Sequence, residues 1–475
     1  MDRGLGVGGM GNPSEGRYEV VLKRGFRGRI GLDRPELVAW TLYDWANSAM
    51  VTVVVASVFP IYFLRVAGAD LPPAVATQRF AIASTIGLAL VAVTAPILGV
   101  IADRVGIKKR LLGASMSVGV SAVAGMFFIG HGDWLLACVL LILAEVGAGL
   151  SFVFYDALLP HVAKPEEMDR VSAAAYALGY FGGGTLLAVN LAWIQWPGLL
   201  GIPSGEGISE AQATLPVRLA FLSVALWWVV FSIPLFVRVK EPAAVLGPEE
   251  PDRVNPVRVA FRRLGRTLRA LRGYREAFVM LLAFLLYNDG IGTIIKMAAI
   301  FGAEIGIGQG AMLSAILVVQ FVGVPFTFLF GMLAGGLGAK RAILLGLLVY
   351  TGISMLGYLM TSESHFFLLA ILIGMVQGGS QALSRSLFAS LIPKARSGEF
   401  FGFFAIAEKF AGILGPACFA AVIAVTGSSR SAILSVIVFF LVGGGLLALV
   451  DVEAGRAKAR EEDRELESAD NPLAT

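Results

Sequence analysis

The sequence predicts an all-α polytopic membrane protein, with twelve transmembrane helices in two pseudo-symmetric six-helix bundles. Three observations carry that expectation. The 475 residues are 57% hydrophobic and 15% charged, with a mean hydropathy of +0.77, whereas soluble domains run near a quarter charged. Twelve apolar runs approach or exceed the about 20 residues a helical crossing needs. Lysine and arginine are also distributed unevenly between alternate connections. Because a single aqueous core stops growing at roughly 250–300 residues, so much apolar material excludes a soluble enzyme. A disordered chain is excluded on the same ground. The net charge of +4 and pI near 9.0 do not make a nucleic-acid partner, because the basic residues follow the connections between spans.

The spans are read at 38–64, 80–102, 110–130, 134–159, 171–196, 216–237, 277–301, 311–334, 341–361, 366–392, 400–425 and 430–450. An even number places both termini on one side. On that side lie 31 of the 38 lysines and arginines, against four opposite: Arg65, Arg79, Arg218 and Arg430. Lys296, Arg385 and Lys409 fall within spans. The positive-inside rule then makes both termini cytoplasmic. Residues 1–36 lack an apolar core and a small-residue cleavage site, so they read as a cytoplasmic tail and not a signal peptide. Gly4, Gly6 and Gly9 match a dinucleotide-binding spacing, but with no strand before and no helix after they read as flexible chain. Cys138 and Cys418 lie in apolar runs, and His131, His161 and His365 are scattered, so neither a disulfide framework nor a metal centre is expected, and no cofactor.

A polar connector at 238–276 separates the bundles 37–237 and 277–450, and 451–475 reads as a charged cytoplasmic tail. Within the connector, Arg253–Arg275 holds eight arginines and no acid. Val257, Phe261, Leu264, Leu268 and Leu271 form one helical stripe with Arg258, Arg262, Arg266 and Arg269 elsewhere on the wheel. That is the pattern of a helix lying in the inner membrane interface with its arginines towards anionic lipid head groups, a solvated connector helix being the lesser alternative. The halves repeat each other. Gly99-x-x-x-Asp103-Arg104-x-Gly106-x-Lys108-Lys109 between spans 2 and 3 is matched, 232 residues on, by Gly331-x-x-x-Gly335-Gly336-x-Gly338-x-Lys340-Arg341. Pro96 and Pro325 precede the two copies. Such repeats are related by an axis along the membrane normal, with the solute site near mid-membrane between them.

The loop signature resembles that of the major facilitator superfamily. More specific are Tyr43-Asp44-Trp45-Ala46-Asn47-Ser48-Ala49 in span 1, Phe154-Tyr155-Asp156-Ala157-Leu158-Leu159-Pro160 in span 4, Tyr287-Asn288-Asp289-Gly290 in span 7 and Gln381-Ala382-Leu383-Ser384-Arg385-Ser386 in span 10. Together, over about residues 37–450, they resemble the branch of fungal autophagy-linked vacuolar amino-acid effluxers and its bacterial members. Met50 stands where an aromatic is usual, Gly335 replaces the acid of the second loop motif, and Glu145 matches no family motif. The resemblance implies the major facilitator fold, with spans 1, 4, 7 and 10 lining a central cavity, and a bacterial inner membrane as the setting.

Charged side chains inside a membrane cost about 2.5–3.5 kcal/mol even on insertion scales, so each is a site hypothesis. Asp44, Asn47 and Ser48 share one face of span 1; Glu145 and Asp156, three turns apart, share a face of span 4. Asp289, Thr293 and Lys296 line up in span 7, and Gln377, Gln381 and Arg385 in span 10. Arg385 is at the depth of Asp44 and Asp156 and is expected to pair with one of them, as a gate or as a static bridge. Asp289 is the candidate protonatable carboxylate. Lys409, adjacent to Glu408, is given the cavity role in span 11, with Glu408 at the interface. The loop residues Gly99, Asp103, Arg104, Gly106 and Lys108 read as a latch, Asp103 accepting from the N-terminus of a second-half helix. The function expected is secondary active transport of a small polar or zwitterionic solute, with amino-acid efflux and proton coupling as its finer form. The rival is a membrane-embedded lipid-handling protein or enzyme, which would want acidic or histidine clusters on inner loops, and the sequence has none there.

Overall fold

The structure, a computed structural model, describes residues 28, 30–203, 205, 207–244, 273–304, 306–410 and 414–470. The expected tail with Gly4, Gly6 and Gly9, and the basic stripe of the connector, lie outside the described residues. Among the described residues all regular structure is helical. Eleven helices are long and apolar enough to cross a membrane: Pro35–Ala67, Val75–Val105, Lys108–Phe128, Trp134–Val162, Met168–Gln195, Glu210–Arg238, Arg275–Ile295, Gly310–Leu337, Ala339–Tyr358, Glu363–Ser390 and Arg430–Leu449. Span 11 is described as Ser397–Phe410 and Leu414–Thr426, on either side of residues 411–413. In chain order these match the twelve expected runs. The face carrying the ends of spans 1 and 12 is called the terminal face below, and the opposite one the far face.

Local chemistry sets the helix ends. Pro35 occupies the first turn of span 1, where its missing N–H is an orphan position anyway. Span 6 opens on a capping box, Ser209 accepting from the Gln212 N–H while the Gln212 side chain accepts from the Ser209 N–H. Span 1 is irregular. Around Pro60, which has no N–H to donate, Met50–Val58 and Phe63–Ala67 widen to five-residue hydrogen bonding, with Phe59 N–H donating to Val54 O. Lipid gives helices no hydrophobic reason to associate, so close approach at small residues does it: Gly147 of span 4 backs onto Gly119 of span 3 with no room for a Cβ.

The internal repeat is visible in atoms. Gly106 and Gly338 both take left-handed φ, 66° and 85°, at the sharp turns after spans 2 and 8. After the first, Lys109 Nζ donates to Phe236 O and Val239 O at the end of span 6; after the second, Lys340 Nζ donates to Ala448 O and Val450 O at the end of span 12. By sequence register the partner of Lys340 is Lys108. The exchange has a simple cause: Lys108 lies 2.7 Å from Asp103, whereas the acid's counterpart is Gly335 and Lys340 turns to the helix end instead.

The C-terminal stretch, expected as a charged tail, contains a 19-residue helix, Val452–Asp470. On the far face, His131 sits between Glu210 Oε1 at 2.7 Å and Asp70 Oδ1 at 3.0 Å. Hydrogen bonding to Asp70 and then Glu210 raises its pKa above the ordinary imidazole value. Because the protonated form is the one held, this tie is fully present below about pH 6.5 and is lost as pH rises through the raised value. The thermal midpoint of the solubilised protein is therefore expected to fall between pH 6 and pH 8.5, and His131→Gln to remove that component.

Candidate functional site

Near the terminal face, spans 1, 4, 5 and 10 converge on one guanidinium. Arg385 Nη1 donates to Asp44 Oδ2 at 3.1 Å and to Asp156 Oδ1 at 3.0 Å. Nε donates to Ser172 Oγ at 2.9 Å and Nη2 to Ser172 O at 3.1 Å. The rings of Trp40, Tyr155 and Tyr176 surround the group, the last with its centroid 4.4 Å from Cζ. Arg385 is 1% exposed, Asp44 3% and Asp156 8%. One positive group thus joins two carboxylates of the first half to a helix of the second. Tyr155 OH and Ser48 Oγ donate to the two oxygens of Asp44.

A second junction closes the seam between spans 2 and 11. Gly99 and Gly398 meet backbone to backbone. Asp103 then reaches across, Oδ1 accepting from Gly398 N–H at 3.0 Å and Oδ2 from Glu399 N–H at 2.8 Å. These are N–H groups of the first turn of span 11, left without intrahelical partners and carrying the positive end of the helix dipole. Lys108, 1% exposed, neutralises the acid at 2.7 Å. His161 Nε2 lies 3.3 Å from Lys108 Nζ and 3.2 Å from Ser397 Oγ, whose hydroxyl donates to Ala157 O. On the other side of the axis, Ser172 Oγ donates to Ala382 O and Ser386 Oγ to Asp169 Oδ1 at 2.6 Å. The terminal face is shut by bonds between the halves.

Several sequence-predicted residues go elsewhere. Glu145 accepts from Ser84 Oγ of span 2 at 2.8 Å and does not join Asp156; eleven residues put it about 16.5 Å higher on the helix, where the same face meets a different neighbour. Asn47 Nδ2 donates to Ser151 Oγ of span 4, inside the first half. Asp289, fully buried, accepts from Gly415 N–H at 2.7 Å and so holds the start of the second segment of span 11. Gln381 is half-buried one turn before Arg385, and Arg104 is half-buried beside Asp103. Gly106 makes its turn against the backbone of Ala244. The side chains of Lys296 and Lys409 lie outside the described residues. Sequence reasoning missed Ser172, Asp169 with Ser386, His161 with Ser397, and the aromatic surround of Arg385. Only the aromatic residues flanking Asp44 and Asp156 signalled any of it.

On the far face the seam is open. A cavity of about 780 Å³ lies among spans 1, 5, 6 and 8, mostly apolar, with Ser57, Tyr62, Gln195, Thr214 and Ser314 as its polar points and Arg65 as the one charged residue among those lining it. The printed lining comes from spans 1, 5, 6 and 8, while Asp156 of span 4 and Arg385 of span 10 lie at the closed end. Beneath the cavity Gln320 Nε2 of span 8 donates to Thr52 Oγ1 of span 1 at 3.0 Å. This is a further bond between the halves.

The profile of the family described as vacuole effluxer Atg22 like matches residues 74–169 and 161–460. The MFS-type transporter YxiO of Bacillus subtilis (strain 168) is 36% identical over 426 residues, 90% of this chain and 97% of that protein. Autophagy-related protein 22-1 of Aspergillus niger is 28% identical over 316 residues, 62% of this chain and 49% of the fungal protein, so the chain spans about half the length of that relative. Among solved structures, the proton:xylose symporter XylE bound to 6-bromo-6-deoxy-D-glucose superposes with a TM-score of 0.61 at 12% identity, over 92% of this chain and 97% of that one. The E. coli fucose:proton symporter FucP gives 0.64 at 14%, over 87% and 98%. Such identities speak for the fold. With its two repeated halves, closed on one face and cleft on the other, the chain belongs to the Atg22-like family of the major facilitator superfamily of membrane transporters.

Proposed function

We propose that the protein is a secondary active transporter of a small polar solute, an amino acid, that rocks its two halves to expose a central site to either face, driven by a proton gradient. It sits in a bacterial inner membrane with cytoplasmic termini, so the far-face cavity opens outward. The observation that carries this reading is one-sidedness. The bonds at Arg385 and Asp103 close one end of the seam while the other end holds a cavity of about 780 Å³, within the range of small-molecule sites. Among the described residues, two carboxylates share the one guanidinium of Arg385, and that excess of negative charge supports coupling to a proton or to the solute's ammonium. The family's description as an effluxer and the proton symport of the two structural neighbours point the same way.

The test is counterflow in proteoliposomes of labelled leucine, tyrosine and a basic amino acid, with and without an inward proton gradient. Asp289→Asn keeps an oxygen for the Gly415 N–H, so it is expected to fold, to retain exchange and to lose gradient-driven accumulation. Unchanged accumulation would make Asp289 a helix-capping residue only. Absence of flux for every amino acid from well-folded protein would overturn the amino-acid reading. Arg65→Gln is expected to raise KM for carboxylate-bearing solutes about five- to tenfold with kcat held, the loss of one charge-assisted hydrogen bond at a wet site.

A further inference from the structure

The C-terminal helix Val452–Asp470 is tied to the inner end of the second half at several points. Asp451 caps its first turn, accepting from Ala454 N–H, and its own N–H donates to Glu276 Oε2 at the start of span 7. Gly455 packs on Leu391 and on the Glu276 side chain so closely that a Cβ there would collide. Arg456 Nε donates to Ser390 Oγ at the end of span 10, and Lys458 Nζ donates to Gly273 O. Further along, Asp463 accepts from Lys394 N–H at 3.2 Å and Ala395 N–H at 3.3 Å, the backbone of the short turn that leads into span 11. Next to it, Glu462 pairs with Arg396 at 3.2 Å, and Arg396 pairs in turn with Glu399 at 3.0 Å. Glu399 is the residue whose N–H Asp103 holds from the other half.

These bonds make a continuous path from the helix to the latch. The contacts at residues 273–276 lie at or just before the start of span 7 and those at 390–396 within the second half, so the helix travels with that half when the halves rock. Asp463 fixes the backbone from which span 11 starts, and Arg396 fixes the first turn. We propose that the C-terminal helix is a positioning element for the latch, holding the span 11 N-terminus in the pose that presents Gly398 and Glu399 N–H to Asp103 and so favouring the arrangement closed at the terminal face. Asp463, Glu462 and Arg396 are positioning residues in this scheme, acting on the latch through the start of span 11. This rests on the alternating-access reading.

The experiment reads the conformational balance directly. In a background with Cys138 and Cys418 replaced by serine, Ser314→Cys places a reporter in the far-face cavity, and its maleimide labelling rate follows the population open on that face. Full-length protein is compared with Asp463→Asn and with a chain ending at Val450, thermal unfolding serving as the fold control. Asparagine keeps one acceptor oxygen but turns an NH2 group towards the other N–H, and losing that one bond is expected to slow labelling about fivefold in Asp463→Asn, and more in the shortened chain. Lys108→Met, which acts on Asp103 directly, is expected to slow it whether or not the helix is present. Unchanged labelling in folded Asp463→Asn and in the shortened chain would overturn the proposal, leaving the helix docked without influence. A labelling shift in a protein that carries no solute in proteoliposomes would sustain the positioning role while sinking the transport reading.

Discussion

Arg385→Gln is expected to lower flux by at least about a hundredfold. The substitution leaves Asp44 and Asp156 buried without the group that joins them, and breaking a buried ion pair from one side costs about 3–5 kcal/mol. That cost falls on the arrangement closed at the terminal face, because the pair is made across the seam. Since about 1.4 kcal/mol is a factor of ten, the closed population drops by two to three orders of magnitude and the cycle stalls with the terminal end open. Arg385→Lys keeps the charge, but a single ammonium cannot reach two carboxylates and both Ser172 oxygens at once. It is expected to retain a small part of the flux. Asp44→Asn should behave differently, leaving one carboxylate for one guanidinium: closure survives and the excess of negative charge is gone. The check is counterflow with a double-mutant cycle in which Arg385→Gln is combined with Asp44→Asn, Asp156→Asn or Asp289→Asn. The first two pairs are expected to couple by about 1–3 kcal/mol and the third to be additive, being separate in contact. Normal flux from Arg385→Gln would remove this cluster from the gate.

The contrast between Arg385 and Glu145 shows how far the sequence could be read. Both are charges in apolar helices, and cost alone marks both as sites. Helical spacing gives the face on which each lies but says nothing of the neighbour that face meets at a given depth. For Arg385 the family motif and the matched depths of Asp44 and Asp156 resolved that; for Glu145 nothing did, and it turns to Ser84. Span count and the loop repeat were legible because they rest on properties of the chain itself: run length and glycine register. The repeat was even legible where it fails, since Gly335 in place of an acid predicts a latch on one side of the axis only, and Gly335 faces open space. What stayed hidden depends on which backbones approach. The Ser172 and Ser386 hydroxyls look like ordinary small residues until spans 5 and 10 are placed together. The docking of Val452–Asp470 was hidden for a related reason: its polar composition reads as a solvated tail, and Asp463 is held by backbone N–H groups of a turn 68 and 69 residues earlier, which carry no sequence signal.

Asp103→Asn should have the second largest effect, and its companion Lys108→Met separates the two roles of the acid. Asparagine is isosteric, yet it offers one acceptor oxygen where Gly398 and Glu399 present two donors, and it turns an NH2 group towards one of them. It also removes the negative charge from the positive end of span 11 and leaves Lys108 buried at 1% exposure without its counter-ion. The sum is expected to be about 2–4 kcal/mol against the closed terminal face, and a fall in flux of about 30-fold or more. Lys108→Met keeps both N–H bonds to Asp103 and replaces a buried ammonium by an apolar chain of similar length. If the lysine matters only by holding the acid ionised, flux should fall by less than in Asp103→Asn. The double variant should then be no worse than Asp103→Asn alone, because removing the acid removes the reason for the lysine. Flux and thermal unfolding measured on all three variants give that comparison. The second-half loop supplies the control: Lys340→Met cuts bonds to the end of span 12 and touches no residue across the seam. It is expected to lower the unfolding midpoint while leaving the balance between the two faces where it was. Equal losses of flux from Lys340→Met and Lys108→Met would mean that both lysines act by anchoring helix ends, and that Asp103 holds the seam without help.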